Sequence, residues 1–225
     1  MRSQPMRNVT PREERKDEEP KTSYWKAFVA IALLSVLLIG AGAYQSWKNQ
    51  HTIEENRYNG FDFALADGDI WVTRIQGGAQ LYDIPFYHHP RELTDIIVRD
   101  HDAADVLILA NRTVKQVYIS VDPDAGAQVA AIGGVEIAKI TGERYQLLKV
   151  PTTGALSRKA NTTADYPVLT CANATAQNVI IQFAQDPEAN AIVRDGNCVI
   201  LFYKTPEDAV RVADRYAFML LRIMP

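Results

Sequence analysis

Four residues in this 225-residue chain have the side chains and surroundings for acid–base or metal chemistry: His88, His89, Asp122 and Asp124. His88 and His89 lie in Tyr87-His-His-Pro-Arg-Glu92, where His101 or Asp95 could join them around a metal ion. Adjacent residues on a strand point to opposite faces, so one ion cannot easily take both. The favoured reading is a surface turn in which Pro90 ends a strand and Arg91 and Glu92 are solvated, with no metal site. Asp122 and Asp124 follow an apolar run and precede a helical one, a junction where α/β folds place acids and ligands. With a histidine in the same cleft they would form the acid–base set of a hydrolase. The same spacing also suits helix initiation, which needs no chemistry, and that reading is preferred. Asp122-Pro-Asp124-Ala-Gly126 opens like a calcium loop, but its glycine comes one position early and the later ligands are missing. Thr152-Thr153-Gly154 and Ser157–Lys159 offer hydroxyls and a lysine, as exposed loops do. The chain holds no GxSxG, HExxH, phosphate-loop or CxxC pattern, so it points to no reaction class and no cofactor.

The elements around these residues are legible from periodicity. Alternation at Phe61, Phe63 and Leu65, at Ile70, Val72 and Ile75, and at Leu81, Ile84 and Phe86 predicts a three-stranded meander. Asp67-Gly68 and Gly77-Gly78 supply its turns. A fourth strand is expected at 95–98, while 102–111 fits a short helix or a strand equally. Farther on, an apolar strand three times runs into a cap residue, a proline and an acid, at 122–124, 186–188 and 205–208. The first copy predicts a helix to about Ile140, with Val129, Ile132 and Ile140 inward and Gly133-Gly134 weakening it. The second predicts a hairpin around Asp195-Gly196. The third predicts a final helix capped by Thr205, with Val210, Ala213, Ala217, Leu220 and Met224 on one face. Residues 150–167 read as an exposed loop. The expected fold class is α+β, a mixed sheet with helices on one face, preceded by one transmembrane helix.

That helix is the strongest signal. Ala27–Tyr44 is an 18-residue stretch without a charge, flanked by Tyr24, Trp25 and Trp47, and spans about 27 Å as a helix. A cleaved signal peptide is the competing reading, disfavoured by the 23 polar residues before Tyr24. Up to Asn49 there are eight Lys+Arg against five Asp+Glu, net +3; beyond it sixteen stand against twenty-two, net −6. The basic flank predicts the N-terminus inside. The acidic remainder excludes nucleic acid as a partner. The expected organisation is a disordered cytoplasmic tail at 1–23, the membrane helix at 24–47, a connector at 48–57 and an extracytoplasmic domain at 58–225. Cys171 and Cys198 then fall where disulfides persist, and a bridge between them is expected, two buried thiols being the alternative. Its loop would be worth about 3.5 kcal/mol in the chain-entropy model. Asn111, Asn161 and Asn173 begin N-x-S/T sequons in the same region and are candidate glycosylation sites.

The phrases YNGFDF (58–63), HHPRELTDI (88–96), VYISVDPDA (117–125), PVLTCANAT (167–175), GNCVILF (196–202) and the ending ADRYAFMLLRIM resemble a loosely related set of archaeal single-pass membrane proteins without an assigned activity. The resemblance implies an anchored surface domain, the same topology and the Cys171–Cys198 pairing, and it carries no catalytic residue. The sequence therefore leads to a non-enzymatic binding module whose partners are the lipid bilayer and an envelope protein or glycan. The alternative is an anchored hydrolase or small-ligand-binding protein using the Asp and His residues above.

Overall fold

The computed structural model describes residues 24–109, 113–124, 127–160 and 165–225. The expected cytoplasmic tail and the sequons at Asn111 and Asn161 lie outside them. The chain divides into two compact units, 1–51 and 52–225.

The described part of the first unit belongs to helix α1, Tyr24–Glu55, whose last residues fall in the second. Its stretch Phe28–Ser46 is long and apolar enough to cross a membrane, and none of that stretch is buried. Phe28, Ile31, Leu34, Leu37 and Ile39 are all at least 60% exposed, so no protein core explains this apolar surface. The helix runs through the segment expected as a polar connector.

The second unit is α+β and has three layers. A small antiparallel sheet of β1 (Arg57–Tyr58), β2 (Phe61–Ala66), β3 (Ile70–Gly77) and β4 (Gln80–Phe86) contains the expected meander. Its fourth member is β1, which precedes the meander. Asn59 and Gly60 both take positive φ, 46° and 86°, the two-residue turn that folds β1 back onto β2. The strand expected at 95–98 shrinks to β5 (Ile97–Val98), which joins the other sheet. Between them Pro90–Leu93 forms a 3-10 turn, and α2 (Asp105–Ile108) resolves the ambiguity at 102–111 as helix.

The larger sheet is mixed, in the order β5-β9-β10-β8-β6-β7, with β6 at Gln116–Val121, β7 at Thr152–Leu156, β8 at Asn178–Gln185, β9 at Ala191–Asp195 and β10 at Cys198–Tyr203. Only the β9–β10 pair is antiparallel. Its loop is Gly196-Asn197, one residue later than expected, with Gly196 at φ 59°. Strand β7 corrects the reading of 150–167 as a loop. As an edge strand it buries only Ala155, so it has no alternation to detect.

Helices α3 (Ala127–Thr141) and α4 (Pro206–Leu220) lie against one face of this sheet, over Val117, Ile119, Val179, Ile181, Phe183, Val199 and Leu201. Their other side receives the small sheet, with Phe63 and Phe86 against Phe218 at 5.8 and 4.4 Å between ring centroids. The Thr205 cap forms as expected, accepting from the Asp208 amide. The Asp-Pro copies do something else: Asp122 and Asp186 accept from amides two residues on, at 2.9 and 2.8 Å, forming turns. Pro123 and Asp124 are not helical, so Asp122 does not cap α3. Ile132, expected inward, is 41% exposed. The inward positions are Ala130, Gly133, Ile137 and Ile140, and Gly133 is a contact point: an added Cβ would meet the Ala209 carbonyl at 3.0 Å and Ala213 Cβ at 3.2 Å.

The far face of the large sheet is covered by residues 168–171, before β8. Val168 bridges to Leu156, Ser120 Oγ donates to the Leu169 carbonyl, and Cys171 is joined to Cys198 of β10 by a disulfide with Cα atoms 5.3 Å apart. Cys198 and Ile180 beneath it are fully buried.

Candidate functional site

The two helices and the small sheet meet around charged groups that the core would ordinarily exclude. Glu136 and Lys139 lie one turn apart on α3, and Asp214 lies on α4. They are 7%, 5% and 0% exposed. Glu136 and Lys139 share the buried stripe of Gly133, Ile137 and Ile140, and Asp214 that of Val210, Ala213 and Ala217, so helix geometry turns them inward. Lys139 Nζ contacts the Glu136 carboxylate and the Pro85 carbonyl of β4, and stands 4.3 Å above the Phe86 ring. His88, just past β4, offers its main-chain N–H to Asp214 Oδ2 at 3.0 Å, and its ring Nδ1 lies 2.9 Å from the same oxygen. A connected line runs from Pro85 through Lys139, Glu136 and Asp214 to His88, tying the small sheet to both helices.

Burial pushes the Glu136 carboxyl up to about 7; the Lys139 charge pulls it down, and the charge of Asp214 and a hydrogen bond to it push it up again. Two ionised carboxylates cannot donate to each other. Asp214 Oδ1 has no hydrogen-bond partner. A cavity of about 250 Å³ lined by Ile70, Pro85, Phe86, Tyr87 and Glu136 lies beside it.

The sequence candidates separate. His88 joins this cluster. His89 is buried among Phe63 and Trp71, with ring centroids 4.9 and 4.7 Å away, and its Nδ1 accepts from the Arg91 amide. Burial lowers the His89 pKa, with the Asn56 carbonyl opposing. Asp122 and Asp124 sit at the end of β6, where Arg158 reaches both carboxylates. Asp95 pairs with Arg211 at 2.8 Å. The turn after Pro90 is therefore docked: Arg211 also donates to the Glu92 carbonyl, and Arg91 Nη2 to the Arg57 carbonyl, both at 2.8–2.9 Å. Among the described residues no three His, Cys, Asp or Glu side chains are placed to hold a metal ion. Asn173 is exposed and spends its side-chain oxygen on the Thr170 amide, whereas glycan attachment uses the amide nitrogen.

Glu136, Lys139 and Asp214 escaped sequence reading. The available signal was an i, i+3 charge pair and an Asp-Arg pair inside mainly apolar helical stretches, a pattern that an exposed helix face shares.

Compared with protein-family models, curated proteins and solved structures, the chain matches none. The archaeal resemblance gains no relative of known activity from them.

Proposed function

We propose that this protein is a single-pass, membrane-anchored binding module, its N-terminus cytoplasmic and its domain from about residue 58 on the outer side. There it engages an envelope protein or glycan. The observation that carries the reading is the unburied apolar stretch Phe28–Ser46, which at 1.5 Å per residue is about 28 Å long, the thickness of a bilayer's hydrocarbon core. The Lys/Arg excess before it supports the orientation, and the Cys171–Cys198 bridge supports an oxidising compartment. No observation favours a hydrolase built on Asp122, Asp124, His88 or His89, whose side-chain partners lie in different places.

The test uses intact cells carrying the full chain with an N-terminal epitope. Alkaline carbonate should leave the protein in the membrane pellet, added protease should remove the domain while sparing the epitope, and surface crosslinking should recover one reproducible partner. Release by carbonate, or loss of the epitope to outside protease, would sink the topology. Intact topology with no partner across repeated crosslinking would sink the binding role.

A further inference from the structure

A larger cavity stands apart from the Glu136 cluster and does not rest on the reading of α1. It is a slot of about 460 Å³ between helix α3 and edge strand β7, within the size range of small-molecule sites. Its origin lies in the strand register. Val117 pairs with Thr152, Ile119 with Gly154 and Val121 with Leu156, and paired residues of neighbouring strands share a face. Thr152, Gly154 and Leu156 therefore face the helices as Val117 and Ile119 do, and Thr152 Oγ1 lies 2.7 Å from Thr141 Oγ1 of α3. Gly154 leaves the floor of the slot bare: a Cβ there would meet only the Tyr166 ring, at 3.8 Å. Its backbone is ordinary extended strand, so conformation does not demand a glycine. Ala131, Val135 and Ala138 form the α3 wall, and the half-exposed ring of Tyr166 bounds the slot beside Gly154.

The lining sets the ligand's chemistry. None of its residues is charged, so an ion entering the slot would lose water and gain no partner. The threonine hydroxyls are engaged within the protein: Thr152 Oγ1 also donates to the Val150 carbonyl, and Thr153 Oγ1 accepts from Gln116 Nε2, both at 2.9 Å. A sugar, which needs several polar side chains, therefore fits poorly. One main-chain pair stays open. Val117 N–H donates to the Pro151 carbonyl and Ser157 N–H to the Val121 carbonyl, so alternate residues of β7 bond to β6 and Gly154 turns its own N–H and C=O to the outer edge. On that edge Leu156 is bonded to Pro167 and Leu169, whereas Gly154 has no such partner among the described residues. We propose that this slot binds an uncharged small molecule with a flat aromatic body, stacked on the Tyr166 ring over Gly154, and with one hydrogen-bonding group on the Gly154 main chain. Offset stacking on tyrosine is a favoured arrangement for such a ring. The site goes beyond the envelope-binding reading and stands without it.

Titration of the full chain in lipid nanodiscs with naphthol, naphthoate, naphthylmethylammonium and methyl glucoside tests this, with empty nanodiscs giving the uptake by lipid. Naphthol should bind saturably above that baseline and about tenfold or more tighter than either ion or the glucoside. Gly154→Val places a side chain on the open floor, where a β-branched residue suits the strand, and should abolish naphthol binding while circular dichroism shows the fold intact. Should that variant fail to fold, Ala131→Leu, exposed on α3, should give the same loss. Tyr166→Ala should weaken naphthol binding severalfold. Naphthol uptake no greater than that of empty nanodiscs overturns the proposal, as does equal or tighter binding of an ion or the glucoside. Undiminished naphthol binding in folded Gly154→Val, in Ala131→Leu where that variant replaces it, or in Tyr166→Ala overturns it as well.

Discussion

Glu136 owes its proton to position. On a solvated helix face it would titrate like any glutamate; buried on α3 beside Asp214 it is pushed up to about 7 despite Lys139. A folded-state pKa above the unfolded value of 4.5 means the folded chain holds the proton more tightly. The stability this contributes is complete below about pH 4.5 and is lost as pH rises toward 7. Denaturant unfolding of the full chain between pH 5 and pH 8 should show stability falling by on the order of 3 kcal/mol. Glu136→Gln should flatten that slope; an unchanged slope in the variant would assign the proton elsewhere. Neither the pair nor its partner Asp214 could be singled out from sequence, because an acid in an apolar run does not reveal what faces it across a helix contact. His88 could be singled out, yet its partner Asp214 is 126 residues away.

At the scale of elements, the glycine pair in α3 was legible as a weak point of a helix, and the packing makes Gly133 a junction. Its missing side chain lets α3 approach α4 at Ala209 and Ala213. Gly133→Val should cost about 1–3 kcal/mol by overpacking, whereas Ile132→Ala, one residue earlier on the exposed side, should change stability by less than about 0.5 kcal/mol. Comparable losses from the two, measured by thermal unfolding, would place the contact face wrongly. The strands β4, β6, β8 and β10 were readable because each buries alternate residues or an apolar run, and β2 and β3 because their apolar residues alternate between glycine turns, although β2 buries only Phe63 and β3 only Thr73 and Gly77. Edge strands β5 and β7 were misjudged in length or missed, since a strand with one partner and little burial leaves almost no pattern. The Thr205 cap was legible because its bonds are local; Asp122 and Asp186 misled because an Asp-Pro turn uses the same residues as a cap.

For the whole molecule, residues 52–225 hold the ten strands of the described residues, the disulfide and a core running from Phe63 to Met224. That unit should fold without α1: a fragment of 52–225 made under oxidising conditions should be soluble and monodisperse and unfold cooperatively. Aggregation of the fragment, or a molten near-ultraviolet spectrum, would show that the first unit contributes to its stability. The sequence by itself determined the apolar N-terminal helix, the α+β class and the eligible cysteines, because each depends on composition or short-range periodicity along the chain. Only the tertiary structure decided that the small sheet, the helices and the mixed sheet stack in that order, that Glu136, Lys139, Asp214 and His88 converge, and that Arg215 is buried against Pro225. Those outcomes depend on which surfaces meet across more than a hundred residues, and no local pattern encodes the partner on the other side.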